Sequence, residues 1–190
     1  METGANLYIG LVHYPVYDKR REIVATAVTN FDLHDMARCA RTYGLGGFFV
    51  ITPLESQVKL VERIVHHWVK GGGFAYNPTR GGPLSLIRVS RTIEEAEEEI
   101  CQGWNEKVAK VATGASPSPK SIGYAALSRL IEEEKRPFLL LFGTGWGLTQ
   151  EVKESADHVL APIEGKGYNH LSVRSAVAII LDRLLGNRMS

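Results

Sequence analysis

Three glycines spaced two apart, Gly143, Gly145 and Gly147, end the apolar run in LLLFGTGWGLTQE (residues 139–151). Glycine tolerates positive φ and leaves room where a Cβ would block a neighbouring atom. A strand, a glycine turn and a helix in succession is the arrangement of a nucleotide site in a parallel sheet. Three readings compete. A P-loop needs G-x-x-x-x-G-K-[ST], which occurs nowhere in the chain. A nucleotide or S-adenosylmethionine (SAM) site of the open doubly wound type fits the G-x-G-x-G spacing, with Glu164 placed where a ribose-binding acid could be. That turn, however, normally follows the first strand, and here it comes late in the chain. The third reading is structural: glycines that let a strand turn tightly into a helix.

Two more C-terminal stretches share this character. APIEGKGYN (161–169) ends another apolar run in a glycine-rich loop, and HLSVRSAVAI (170–179) opens a helix with Ser172, Arg174 and Ser175 in its first turns, then a small-apolar face. A third loop, ATGASPSP from Ala112, follows an earlier apolar run. Three loops at the carboxyl ends of neighbouring strands would stand where ligands of parallel sheets bind.

The elements that must position these loops are legible as period and punctuation. Six strand-length apolar runs begin at Leu7, Gly46, Leu84, Lys107, Phe138 and His158. Continuous apolar runs of that length suit strands covered on both faces. Helical spacing predicts helices over 32–43 with Asp32 as N-cap, 54–70, 93–104 after Thr92, 121–134, 148–156 and 172–185. Strands alternating with helices predict an α/β fold, a mainly parallel six-stranded sheet with helices on both faces. The Gly- and Pro-rich segment 71–83 reads as a functional loop or a mobile connection. A chain of 190 residues suits one domain, taken here as 1–190. The formal charge of +1 does not announce a nucleic-acid binder, though a local basic surface is compatible with it. Cys39 and Cys101 form no C-x-x-C pair, no metal site is read, and the absence of a signal-like start or a membrane-length apolar stretch points to a cytoplasmic protein.

With these motifs in order, the sequence resembles the SPOUT (α/β-knot) superfamily, nearest to a small bacterial family of SAM-dependent RNA methyltransferases sometimes fused to the tRNA guanine-N1 methyltransferase. TNFDLHDMARCARTYGLGGFFV places Arg38 six residues before Gly44 and a strand, as in the first motif of the ribose-methylating branch. LLFGTGWGL stands where that branch has G-x-E-x-x-G-L, and HLSVRSAVAI aligns without gaps on its third motif. The resemblance implies a C-terminal trefoil knot, SAM as cofactor, an RNA partner (tRNA or rRNA) and a homodimer. It implies that Thr113, Gly114, Phe142, Gly143, Thr144, Gly145, Gly147, Ile163, Gly165, Leu171 and Ser172 contact the cofactor, and that Arg38 is catalytic. The second motif lacks the branch's glutamate, and Ser172 replaces an asparagine in the third. SAM binding is therefore better supported than ribose 2′-O chemistry; a base nitrogen is open as acceptor, and a non-catalytic SAM- or RNA-binding module is the alternative.

Other residues invite chemistry less specifically. Arg174 could hold a phosphate or carboxylate, or could form a capping or interface salt bridge. His13, Tyr14 and Tyr17 follow the first strand, and Asp18-Lys19-Arg20-Arg21 could touch RNA phosphates or be a solvated loop. His66-His67 lie beside Trp68, where helical geometry predicts one packed ring and one exposed. Tyr76, Asn77 and Arg80 could contact a base.

Overall fold

The apolar runs become strands because both of their faces are covered. The computed structural model describes residues 5–186. Strand β1 (Leu7–Val12), whose residues are all buried, is followed by an antiparallel ribbon of β2 (Val16–Tyr17) and β3 (Ile23–Val24). Helix α1 (Asn30–Thr42) leads to β4 (Gly47–Ile51); α2 (Glu55–Val69), α3 (Gly72–Tyr76) and α4 (Pro78–Leu84) lead to β5 (Ile87–Ser90). Then come α5 (Ile93–Cys101), β6 (Ala109–Ala112), β7 (Ser121–Ile122), α6 (Tyr124–Glu133) and β8 (Phe138–Gly143). Helix α7 (Gln150–Ser155), β9 (His158–Leu160) and α8 (Val173–Leu185) end the described chain.

The main sheet has the order β5-β4-β1-β8-β6-β9-β7, and its pairings are parallel. Alternation along the central strands divides the core. Leu7, Ile9 and Leu11 join Phe138, Leu140 and Phe142 under α1, α6 and α8; Tyr8 and Val12 join Leu139 and Leu141 under α5 and α7. Helices therefore cover both faces, as the run pattern requires. Chain order reverses between β1 and β8, so the carboxyl ends of β8, β6 and β9 lie on one side of the switch point where such sheets bind ligands.

The sheet has seven strands, not the six that the apolar runs predict. The seventh is β7, whose Ser121 and Ile122 pair with Val159 and Leu160 in the segment predicted to open a helix; α6 starts only at Tyr124. Two residues carry no alternation to detect, and their pairing is set by β9, far along the chain. The segment 71–83 is not a loop but the short helices α3 and α4. Proline at the start of α4 presets its first turn, and Gly81 lets it approach α2, since a Cβ there would come within 3.0 Å of Trp68 O. The N-cap of α1 is Thr29, not Asp32: its hydroxyl accepts the Asp32 N–H, and the Asp32 carboxylate accepts the Thr29 hydroxyl at 2.6 Å. The one Thr29 hydroxyl thus both accepts from and donates to Asp32, which fixes that residue three positions after the cap. Among the described residues no helix is long and apolar enough to cross a membrane.

Candidate functional site

The loops after β6, β8 and β9 converge on one open cleft of about 1620 Å³. Thr113 and Gly114 enter it from the first loop, Phe142, Gly143, Thr144, Gly145 and Gly147 from the second, and Ile163, Leu171 and Ser172 from the third. Gly165 lines a smaller neighbouring pocket with Pro162 and Tyr168 instead. A Cβ on Gly165 would lie 2.0 Å from Tyr168 O, so glycine is needed there for the turn itself. Asn169 ties the third loop to the first, donating from Nδ2 to Ala115 O at 2.7 Å and to Ile163 O at 3.2 Å. Ser172 also caps α8, accepting the Ser175 N–H.

The glycine turn that opened the sequence reading is shaped largely by main chain meeting main chain. A Cβ on Gly143 would sit 2.5 Å from Leu148 N. Gly145 has φ +57, and a Cβ there would meet Tyr17 O at 2.9 Å. Gly147 has φ +97, and its Cβ direction meets nothing within 4 Å. The turn is docked on the β2–β3 ribbon: Trp146 N–H donates to Tyr17 O at 2.8 Å, Tyr17 N–H donates to Gly147 O at 2.9 Å, and Val16 bridges to Leu148. Two of the three glycines thus make space for the protein's own backbone, and all three still present backbone to the cleft.

Beneath the turn lies a chain of hydroxyls ending at a buried histidine. Thr144 Oγ1 donates to Val12 O at 3.0 Å, which leaves it to accept from Thr26 Oγ1. Thr26 Oγ1 then accepts from His13 Nδ1–H at 2.9 Å. His13 Nε2 is left as a bare, buried lone pair with no hydrogen-bond partner among the described residues. Burial lowers the His13 pKa to about 4, with the Asp32 charge opposing; a proton on Nε2 would find no acceptor there. The ring is neutral near pH 7 and serves to link the end of β1, the ribbon and the glycine turn.

At the other wall, Arg174 of α8 pairs with Asp32 at 3.1 Å and Asp35 at 3.5 Å, and its guanidinium stands 5.9 Å from the Phe31 ring centroid. Arg174 thus makes an ion pair within the chain while also lining the cleft. Arg38 is exposed on α1 and is not among the residues that line the cleft. His34, one turn before it, has a lowered pKa, first through burial, then through the charge of Arg80, with Arg38 adding less and Asp35 opposing. His66 and His67 are both exposed, contrary to the expectation that one packs. The Trp68 ring meets the edges of His34 and His67, and Arg80 lies over it at 5.2 Å. Tyr76, Asn77 and Arg80 are not among the cleft residues. Sequence reasoning missed Trp146, Lys153, Tyr168 and Asn169, which line the cleft. The available signal for Trp146 was a large aromatic set between two glycines of a turn.

A parallel sheet of this kind is shared with solved methyltransferase structures. The SpoU methyltransferase AviRb from Streptomyces viridochromogenes, solved with the cofactor AdoMet, shares this fold with a TM-score of 0.56 at 14% identity, covering 97% of this chain and 58% of that one. The family model described as SAM-dependent RNA methyltransferase matches residues 6–186, and the chain belongs to that family. A tRNA (guanine-N(1)-)-methyltransferase from Oleidesulfovibrio alaskensis is 45% identical over 187 residues, 98% of this chain but 43% of that protein. An uncharacterized protein from Aquifex aeolicus is 39% identical over 180 residues, 94% of this chain and 88% of that protein. The chain therefore spans less than half the length of the tRNA methyltransferase it matches, and most of the length of the second relative.

Proposed function

We propose that residues 1–190 act as one methyltransferase domain, that the three-loop cleft holds SAM, and that the methyl group passes to a nucleotide of tRNA or rRNA. The convergence of the loops after β6, β8 and β9 carries this reading. The residues fit the group: Ile163 and Leu171 offer apolar surface to a flat purine, and Gly147 leaves open space beside the backbone. When bound, SAM supplies a methyl carbon made electrophilic by its sulfonium. The chain supplies placement, which is worth much of the acceleration in a displacement that needs alignment. Thr113 and Thr144 are held by hydrogen bonds to Leu141 O and Val12 O, so the loop walls are set before ligand arrives. An acceptor that carries a proton, as a ribose hydroxyl does, must lose it to solvent or a base, and a fixed cation beside it stabilises the deprotonated form.

Arg38 is our assignment for that cation. In its own chain it does not line the cleft, so the assignment includes a homodimer in which α1 of one copy faces the cleft of the other. Phe31 on α1, 72% exposed beside Arg174, offers such an interface an apolar contact. We read the passage from β9 to α8 as the threaded part of a trefoil knot. Its support is the tie from Asn169 to Ala115 and the packing of α8 against α1, α6 and β8. We read the protein as cytoplasmic, where a tRNA or rRNA substrate would be met.

Calorimetric titration with SAM, its demethylated product and unrelated nucleotides tests the cofactor assignment; absence of affinity for the first two would end it. Transfer of labelled methyl to purified tRNA and rRNA, followed by nucleoside analysis, tests the reaction and names the acceptor atom. Arg38→Ala is expected to retain SAM affinity and lose turnover, and unchanged turnover would clear Arg38 of a catalytic role. Sedimentation of the full chain at micromolar concentration reads the dimer.

A further inference from the structure

The mouth of the cleft combines two features beyond the residues assigned to the cofactor. The first is aromatic. Trp146 is 64% exposed and Tyr168 71% exposed, and both line the cleft, one from the glycine turn and one from the loop after β9. Trp146 is exposed on a rigid support: its own N–H is bonded to Tyr17 O, and the next residue is bonded to Thr144 O and to Tyr17 N–H. An exposed aromatic on a fixed backbone can stack on a ligand with little ordering cost.

The second feature is charge. Lys19 and Arg21, at the tip of the β2–β3 ribbon, line the same cleft, as do Lys120 and Lys153. The ribbon tip is itself fixed. Asp18 Oδ1 accepts from Arg20 N–H at 2.7 Å and Glu22 N–H at 2.9 Å, Arg21 takes φ 66, and its guanidinium rests 5.4 Å from the Tyr17 ring centroid. On the far side a Cβ on Gly114 would lie 3.4 Å from Lys153 Nζ. Two acids also line the cleft: Asp32 is paired with Arg174, and Glu154 accepts from the Gln150 amide and keeps its charge. A chain of nearly neutral total charge thus gathers more cations than anions around one opening that also displays flat apolar rings.

Planar groups joined by anionic links are what such a surface fits. Rings in a duplex are already stacked and paired, so a protein ring takes one at least cost from an unpaired strand, where neither has to be broken. We propose that Trp146 is a stacking platform for an unpaired nucleobase, assisted by Tyr168, and that Lys19 and Arg21 with Lys120 and Lys153 hold the flanking phosphates. The cleft is thereby assigned a loop or other single-stranded segment of RNA as its substrate class. This rests on the reading that SAM occupies the interior of the same cleft.

The test is fluorescence anisotropy with a labelled mixed-sequence oligoribonucleotide, single-stranded or annealed to its complement, with SAM affinity measured on each variant by calorimetry. The single strand should bind more tightly than the duplex. Trp146→Ala should weaken single-strand binding by ~5- to ~150-fold, the range of one lost base stack, whereas Trp146→Phe should restore most of it. Lys19→Ala with Arg21→Ala should flatten the dependence of log affinity on log salt by about 1.4, two contacts at about 0.7 each for a single strand. SAM affinity should stay within about twofold throughout if the aromatic and basic mouth serves RNA alone. Wild-type single-strand affinity in Trp146→Ala, or a preference for duplex, overturns the inference while SAM binding still stands. Failure of the wild-type protein to bind SAM instead overturns the reading beneath it.

Discussion

Replacing Gly143 by alanine should damage the fold more than its size suggests. The added Cβ would lie 2.5 Å from Leu148 N, 2.8 Å from Gly147 C and 3.0 Å from Gly147 Cα. All three are backbone atoms, so no side chain can swing aside. That backbone is itself held, by Gly147 N–H to Thr144 O, by Tyr17 N–H to Gly147 O and by the bridge from Val16 to Leu148. Relief requires moving the turn off the ribbon by roughly an ångström, toward ordinary carbon contact distance. Overpacking of this kind costs about 1–3 kcal/mol, and loosening one of the docking hydrogen bonds adds about 1 kcal/mol. A loss of about 2–4 kcal/mol lowers the melting temperature of a chain this long by roughly 4–16 °C. Thermal denaturation should be run beside two controls. Gly147→Ala meets nothing within 4 Å and carries only the strain of φ +97, about 1–2 kcal/mol. Gly82→Ala, inside α4 and also facing open space, should be neutral or stabilise by up to about 1 kcal/mol. A Gly143→Ala protein that melts within two degrees of wild type, or above Gly147→Ala, refutes the argument that close main-chain approach dictates this glycine.

Other outcomes follow from the same network. His13 stays neutral in the folded chain down to about pH 4, whereas the unfolded chain protonates near 6.5. The unfolded state therefore binds the extra proton in between, so His13's contribution is complete above pH 6.5 and falls, by about 3 kcal/mol in all, as pH drops toward 4. Urea midpoints at pH 7 and pH 5 should separate more for wild type than for His13→Gln, and equal separations would contradict the assignment. Thr29→Ala removes the N-cap of α1 and should lower stability by about 1 kcal/mol, read as a small fall in urea midpoint. A double-mutant cycle on Asp32→Asn and Arg174→Ala should give a coupling of about 0.5–1 kcal/mol, modest because Arg174 is partly exposed.

The strands and most helices were legible because their signals are local. A strand buried on both faces, such as 138–143, writes itself as an apolar run, and Thr92 followed by Glu95 writes the start of α5. What was illegible depends on partners distant in sequence. The two residues of β7 are strand only because β9 lies beside them. Arg174 is a partner of Asp32, 142 positions away, and no spacing rule links them. Gly145 was legible as a special residue, but its reason was not: the atom that excludes a side chain there is Tyr17 O, from the other end of the chain. The residues proposed for the cofactor, Gly165 apart, line one cleft, because carboxyl-end loops are defined by the strands before them. Gly165, the exception, marks a turn within its loop rather than a wall of the cleft.

These distinctions sharpen what a substitution in the glycine turn can say about SAM. Gly143 and Gly145 cannot report on the ligand cleanly, because an alanine at either first collides with the protein. Gly147 can. Its Cβ direction is free of protein atoms although the residue lines the cleft, so an alanine there projects into space that only a ligand would contest. Its strain of about 1–2 kcal/mol leaves a domain of ordinary stability folded at low temperature. If SAM lies against this turn, Gly147→Ala should weaken its binding at least ~10-fold, the equivalent of about 1.4 kcal/mol, at a temperature where circular dichroism shows the variant folded. A folded variant with wild-type SAM affinity would move the cofactor away from the second loop, toward the walls formed by residues 113–120 and 163–172, and would leave the turn with the purely structural role that Gly143 and Gly145 already display.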